Sequence, residues 1–119
     1  MSDENQVIDN RDFWTQLEFD ASRQLETSED KNLRQFWVDG FLPETFTSTR
    51  QGMKVEGIVW IGKGGRDQFQ YRFSASLPRE MTRGQKFLIG RLVLDQEKQT
   101  LKLVIVSPKS AMVRSERGT

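Results

Sequence analysis

Near residue 50 the chain changes its hydrophobic period. Between Phe13 and Leu25, apolar residues recur at steps of three and four (Phe13, Trp14, Leu17, Ala21, Leu25), the stripe of an amphipathic helix. Beyond Val55 the period is two. It is clearest where Phe69, Tyr71, Phe73, Ala75 and Leu77 alternate with Gln68, Gln70, Arg72, Ser74 and Ser76. A helical front followed by a run of strands restricts the chain to an α+β class.

The helical part has its own punctuation. Asn10 is placed as an N-cap and Asp12 falls in the first turn, which predicts a helix over 11–26. Phe19 lies off the stripe. Ser28 can cap a second helix, with Glu29 and Asp30 in its first turn and Leu33, Phe36 and Trp37 on one face. Gly40 is a natural helix end, so a second, short helix is expected over 29–38. The competing reading is a strand at 35–38 with a turn at Asp39-Gly40. Leu42 before Pro43 must be extended, and 44–52 reads as a polar turn.

Four strands are then expected, over 55–61, 68–77, 87–94 and 101–106, joined by short turns as an antiparallel meander. In the first, Val55, Gly57, Val59 and Ile61 alternate with Glu56, Ile58 and Trp60. Both parities carry apolar residues, so this strand is buried on both sides or belongs to a barrel. Gly62-Lys63-Gly64-Gly65-Arg66-Asp67 reads as a hairpin loop, Gly90 as a bulge or bend, and 95–99 as a polar turn. Two N-terminal helices and a four-stranded antiparallel meander, closing into a small partly open barrel, make up the expected architecture. The β part is similar in outline to small OB-like barrels, without the helix those place between their third and fourth strands. That likeness concerns the fold alone.

The 119 residues suit one domain. Residues 10–108 are expected to form it, with helices in 10–40 and strands in 53–107. Residues 1–9 read as a disordered acidic tail and 109–119 as a loose basic one. Charge follows the same division. Residues 1–50 hold eleven acids and five bases, and 51–119 hold six acids and thirteen bases, so a net +1 conceals halves of −6 and +7.

Missing residue types remove whole function classes. Without cysteine there are no disulfides, zinc-thiolate sites or thiol catalysis in this chain. Without histidine there is no Ser-His-Asp triad, and the commonest metal ligand is gone. Acid–base chemistry would fall to carboxylates, lysines or Tyr71, the single tyrosine. No apolar run approaches the roughly 18 residues of a membrane span, and MSDENQVIDN lacks the pattern of a secretory signal. The expectation is a cytoplasmic protein with no membrane, metal or cofactor.

Several clusters invite a functional reading. The glycine loop with Lys63 and Arg66 can present backbone N–H groups to an anion, but it lacks P-loop order, and a hairpin turn also requires glycine. Interleaved aromatics and cations at Phe69, Tyr71, Arg72 and Phe73 suit base stacking, while their shared parity suits a core. Arg79 and Arg83 have the R-x-x-x-R spacing that resembles the opening of the PilZ family. The D/N-x-S-x-x-G strand that should follow is absent before Leu103, and the resemblance is set aside. Leu42-Pro43-Glu44-Thr45-Phe46 resembles a sortase signal but lacks its glycine and a following apolar anchor.

The leading expectation is therefore a small non-catalytic intracellular binding or interaction domain, taking a partner macromolecule or a second copy of itself. The first alternative is binding of single-stranded nucleic acid through the basic β-region, with Lys63, Arg66, Arg72, Arg79 and Arg83 as the candidate anion-contacting residues. The second is an enzyme built on carboxylate, Lys or Tyr chemistry.

Overall fold

The computed structural model describes residues 10–64, 67–79 and 86–108. The first expected helix forms as α1 (Arg11–Glu26), and the Asn10 side chain accepts a hydrogen bond from the Phe13 N–H at 3.1 Å. Such a cap is worth about 1 kcal/mol because it satisfies one of the orphan donors of the first turn. Phe13, Trp14, Leu17, Ala21 and Leu25 are buried, and Phe19 is exposed on the far side.

A second helix does not form. Only a 3-10 turn at Leu33–Gln35 remains of it, and the chain enters strand β1 (Phe36–Thr49) at once. The competing reading of a strand at 35–38 is the nearer one, but its Asp39-Gly40 turn does not form: β1 runs on through it and through the polar segment 44–52 up to Thr49. The reason lies in two irregularities of its pairing with β2 (Gly52–Lys63), between Val38 and Gly40 and between Pro43 and Thr45. Each bulge inserts one residue. Residues aligned with the inward side of β2 therefore fall at Phe36, Val38, Phe41, Pro43 and Phe46. Their steps of two and three imitate the helical spacing that period reading detects.

Three further strands complete the sheet: β3 (Asp67–Pro78), β4 (Leu88–Asp95) and β5 (Thr100–Val106). The sheet has five strands in the order β1-β2-β3-β5-β4, so the expected four-stranded meander is corrected twice. There is one more strand, and β5 pairs parallel with β3, from Arg72↔Thr100 to Ser76↔Val104. The sheet is mixed and its ladder is open. Burial explains the exchange of places. Leu101, Leu103 and Ile105 of β5 are at most 2% exposed and take the place with a strand on each side, whereas the inward Ile89 and Leu94 of β4 keep 8% exposure at the edge; Val104 of β5 and Val93 of β4 are both exposed on the outer side. A register shift between Ile89 and Arg91 places a bulge at the expected Gly90.

α1 lies against the inner face of the sheet. Trp14 meets Phe41 and Phe73 at ring-centroid distances of 5.8 and 6.1 Å, and Phe13 meets Phe87 at 4.7 Å. Each fully buried Leu, Ile or Phe contributes about 1.5–3 kcal/mol of apolar burial. Two polar contacts fix the helix further. The Ser22 hydroxyl accepts from the Val38 N–H at 2.8 Å and donates to the Val38 carbonyl at 3.4 Å. Gln24 Nε2 donates to the Ile89 carbonyl at 2.8 Å. Val38 belongs to β1 and Ile89 to β4, so one helix ties both edge strands of the sheet. Among the described residues no helix is long and apolar enough to cross a membrane.

Candidate functional site

With α1 covering one face of the sheet, the other face of β1, β2 and β3 is turned outward. Strand alternation decides what it carries. Val55, Val59 and Ile61 point into the core, and Ile58 and Trp60 between them are half-buried on the outside. Across the ladder, Ile58 pairs with Leu42 and Arg72, and Trp60 with Gly40 and Gln70. Trp37 pairs with Gly62, which pairs in turn with Gln68.

Each of these tryptophans therefore faces a glycine on the neighbouring strand. The Trp37 indole occupies the space above Gly62. A Cβ built at Gly62 would lie 2.6 Å from Trp37 Cζ2 and Nε1, which no real side chain tolerates. At Gly40 a Cβ would lie 3.7 Å from Trp60 Cε3, an ordinary contact. An aromatic ring covering a cross-strand glycine restores packing to a position that has no side chain. It also lays the ring along the sheet.

A hydrogen-bonded chain holds the first of these rings. Trp37 Nε1 donates to Asp39 Oδ1 at 2.9 Å, and Gln68 Nε2 donates to Asp39 Oδ2 at 2.8 Å. Asp39 is the inserted residue of the first β1 bulge, and Gln68 reaches it from β3 across the bare backbone of Gly62. Three strands thus fix one indole. The result is a half-buried aromatic platform of Trp37 and Trp60 with exposed Leu42, half-buried Ile58 and the polar ends of Gln70 and Arg72 around it.

Charge on this face is nearly balanced. Lys54 and Arg72 stand against Asp39, Glu44 and Glu56. Lys54 Nζ lies 3.7 Å from Glu56, and Arg72 Nη2 lies 3.9 Å from Glu44. Both pairs are solvent-exposed and contribute little to stability.

The cations singled out from the sequence are placed apart. Arg72 lies on the outer face. Lys63 ends β2 on the opposite parity, with Nζ 5.4 Å from the centroid of the buried Phe36 ring. Arg79 follows Pro78, at the far end of β3 from the Lys63↔Asp67 pair. The 12 residues of β3 place the two ends roughly 35 Å apart along the strand. Arg66, Arg83 and Gly65 of the glycine loop lie outside the described residues, as do segments 1–9 and 109–119. Of the aromatic strand, Tyr71 and Phe73 are buried and Phe69 is 37% exposed.

Among the described residues two ionisable groups are displaced from their ordinary range. Burial, and then the Asp39 charge, raise the Glu18 carboxyl. Burial, and then Asp95, raise the Tyr71 hydroxyl. Raising a tyrosine makes it a poorer source of phenolate at neutral pH, and the two groups belong to different elements. Among the described residues no three Asp, Glu, His or Cys side chains form a metal-binding group.

The indole platform escaped period reading because Trp37 sits in a segment that resembles a helix and Trp60 in a strand with apolar residues on both parities. The signal was nonetheless present as a Trp and a Gly in each of two strands, at spacings that cross-pair. A scan against protein-family models matches none, and searches of curated proteins and of solved structures return no significant match.

Proposed function

We propose that this chain is a small non-catalytic binding module and that its contact surface is the outer face of β1–β2–β3. The reading is supported above all by Trp37 and Trp60, two indoles laid over glycines on the exposed side of a sheet whose other side is a complete core. Tryptophan is enriched at contact surfaces because it supplies a large area at low conformational cost. A ring fixed by Asp39 and Gln68 has already lost the freedom that binding would otherwise remove. The ligand is held by ring stacking and by hydrogen bonds to Gln70 and Arg72.

The same reading includes a partly open barrel. α1 stands between the two edge strands and fills the gap that β1 and β4 leave. The Ser22 and Gln24 hydrogen bonds to opposite edges support this.

Single-stranded nucleic acid is the second reading. Arg72, which pairs with Ile58 two residues from Trp60, favours it, and OB-like barrels, to which this five-strand arrangement is similar in outline, bind oligonucleotides as well as oligosaccharides on their β2–β3 face.

Tryptophan emission tests the proposal. Trp14 is buried beneath the sheet, so ligand-dependent changes report Trp37 and Trp60. Titration of the full chain with single-stranded oligothymidylate, neutral hexasaccharides and a proline decapeptide should change that emission with at least one of them. A Trp37→Phe/Trp60→Ala chain that responds unchanged to the same ligand would refute the site.

A further inference from the structure

The chemistry of the outer face selects among ligands, and the selection rests on that face being the contact surface. We infer that its ligand is an uncharged oligosaccharide chain, with pyranose rings stacking on Trp37 and Trp60.

Charge is the first argument. A single-stranded nucleic acid carries one negative charge per nucleotide, and proteins that hold it neutralise those phosphates with Lys and Arg. Here two cations, Lys54 and Arg72, meet three carboxylates, Asp39, Glu44 and Glu56. Both cations already lie beside a carboxylate. On these three strands a polyanion gains no net attraction, and the further outward cations Lys102 and Arg91 lie beyond them on β5 and β4, whereas a neutral chain on β1–β3 encounters no repulsion.

The form of the platform is the second argument. An indole face is the negative side of the ring quadrupole, and its best neutral partner presents an array of weakly positive hydrogens. One face of a pyranose ring is such an array of C–H bonds. The Trp37 ring covers Gly62 with one side, and its N–H is taken by Asp39, so its own polar atom is already satisfied. What such a ring offers a ligand is a flat hydrocarbon surface. A purely apolar partner would match Leu42 and Ile58 but leave the polar rim unused.

That rim is the third argument. Gln70 pairs with Trp60 on the neighbouring strand, and Arg72 pairs with Ile58. Planar amide and guanidinium groups beside a ring suit vicinal hydroxyls, which donate and accept at close spacing. The carboxylates Asp39 and Glu44 add acceptors on the β1 side.

The test is calorimetric titration of the full chain with cellohexaose, xylohexaose and chitohexaose, alongside oligothymidylate and a proline decapeptide. At least one neutral hexasaccharide should bind, with an affinity that stays the same between about 0.05 and 0.5 M salt. Trp60→Ala should weaken it roughly tenfold or more. Gln70→Ala, an exposed change that leaves the core untouched, should weaken it severalfold without altering the far-UV circular dichroism. Binding that Trp60→Ala and Gln70→Ala both leave unchanged would overturn the inference. If no hexasaccharide binds up to about 10 mM while oligothymidylate or the peptide perturbs tryptophan emission, the inference falls and the binding face stands. If none of the probes binds, both fall.

Discussion

Trp37 and Gly62 share one site: the indole of the first fills the volume that a side chain on the second would need. This pairing places β1 against β2 at its N-terminal end and opens the path by which Gln68 reaches Asp39.

Gly62→Ala should therefore do more than fill a gap. The new methyl group collides with Cζ2 and Nε1 of Trp37, and the ring must lift from the sheet. The Trp37–Asp39 hydrogen bond should break, with a loss of stability of about 1–3 kcal/mol, typical of overpacking. Urea unfolding measures the loss, and near-UV circular dichroism reports the displaced indole.

Ser22→Ala should loosen α1 from β1. The Val38 N–H loses its acceptor in a part-buried setting, which costs about 1–3 kcal/mol. Gln24→Ala removes one part-buried hydrogen bond to β4, made by an exposed side chain to a carbonyl rather than to an N–H with a single acceptor, and should cost about 1 kcal/mol. The expected result is a lower urea midpoint with an unchanged slope for each, and a larger drop for Ser22→Ala.

Glu18 should make stability depend on pH. Burial and the Asp39 charge raise its folded-state value above the ordinary 4.5, so the folded protein favours the protonated acid. Stability from this group is present below the unfolded value and is lost as pH rises through the folded one. At neutral pH the charged carboxylate destabilises the fold, by under about 0.5 kcal/mol because the group is largely solvated. Glu18→Gln should raise Tm slightly at pH 7, and the difference should close as pH falls below 4.5. A variant that is less stable than the parent at pH 7 would contradict this account.

Gln99 adopts φ 53° in the turn between β4 and β5, where Asp95 Oδ1 accepts from the Lys98 N–H at 3.0 Å. This left-handed conformation is strained for a residue with a Cβ and free for glycine. Gln99→Gly should relieve about 1–2 kcal/mol of left-handed strain against about 0.5–1 kcal/mol of added unfolded-chain entropy, a small net gain visible as a higher thermal midpoint.

Some elements were legible because a single local pattern specifies them. α1 is one: its stripe, its Asn10 cap and its bounds are written in consecutive residues. The cores of β2, β3, β4 and β5 follow from alternation in the same way. β1 was not legible. Its bulges at Asp39 and Glu44 turn a period of two into a mixture of two and three, and Phe36 and Trp37 fit a helical face equally well until a partner strand is known. The proposed contact face was obscured for the same reason, since Trp37 acquires its meaning only when Gly62 is seen opposite it.

Composition settled what is independent of shape: without Cys or His, thiol and imidazole chemistry are outside this chain's reach. Local periodicity settled the α+β class and the position of the helix, because a side-chain stripe depends only on neighbours along the chain. Strand order, the parallel β3–β5 pair and the outward tryptophans were decided by the tertiary structure. Those depend on which strands are buried deeply enough to need two neighbours, and on which glycine lies opposite which ring. The physical reason is that pairing joins residues distant in sequence, and no local pattern encodes its register.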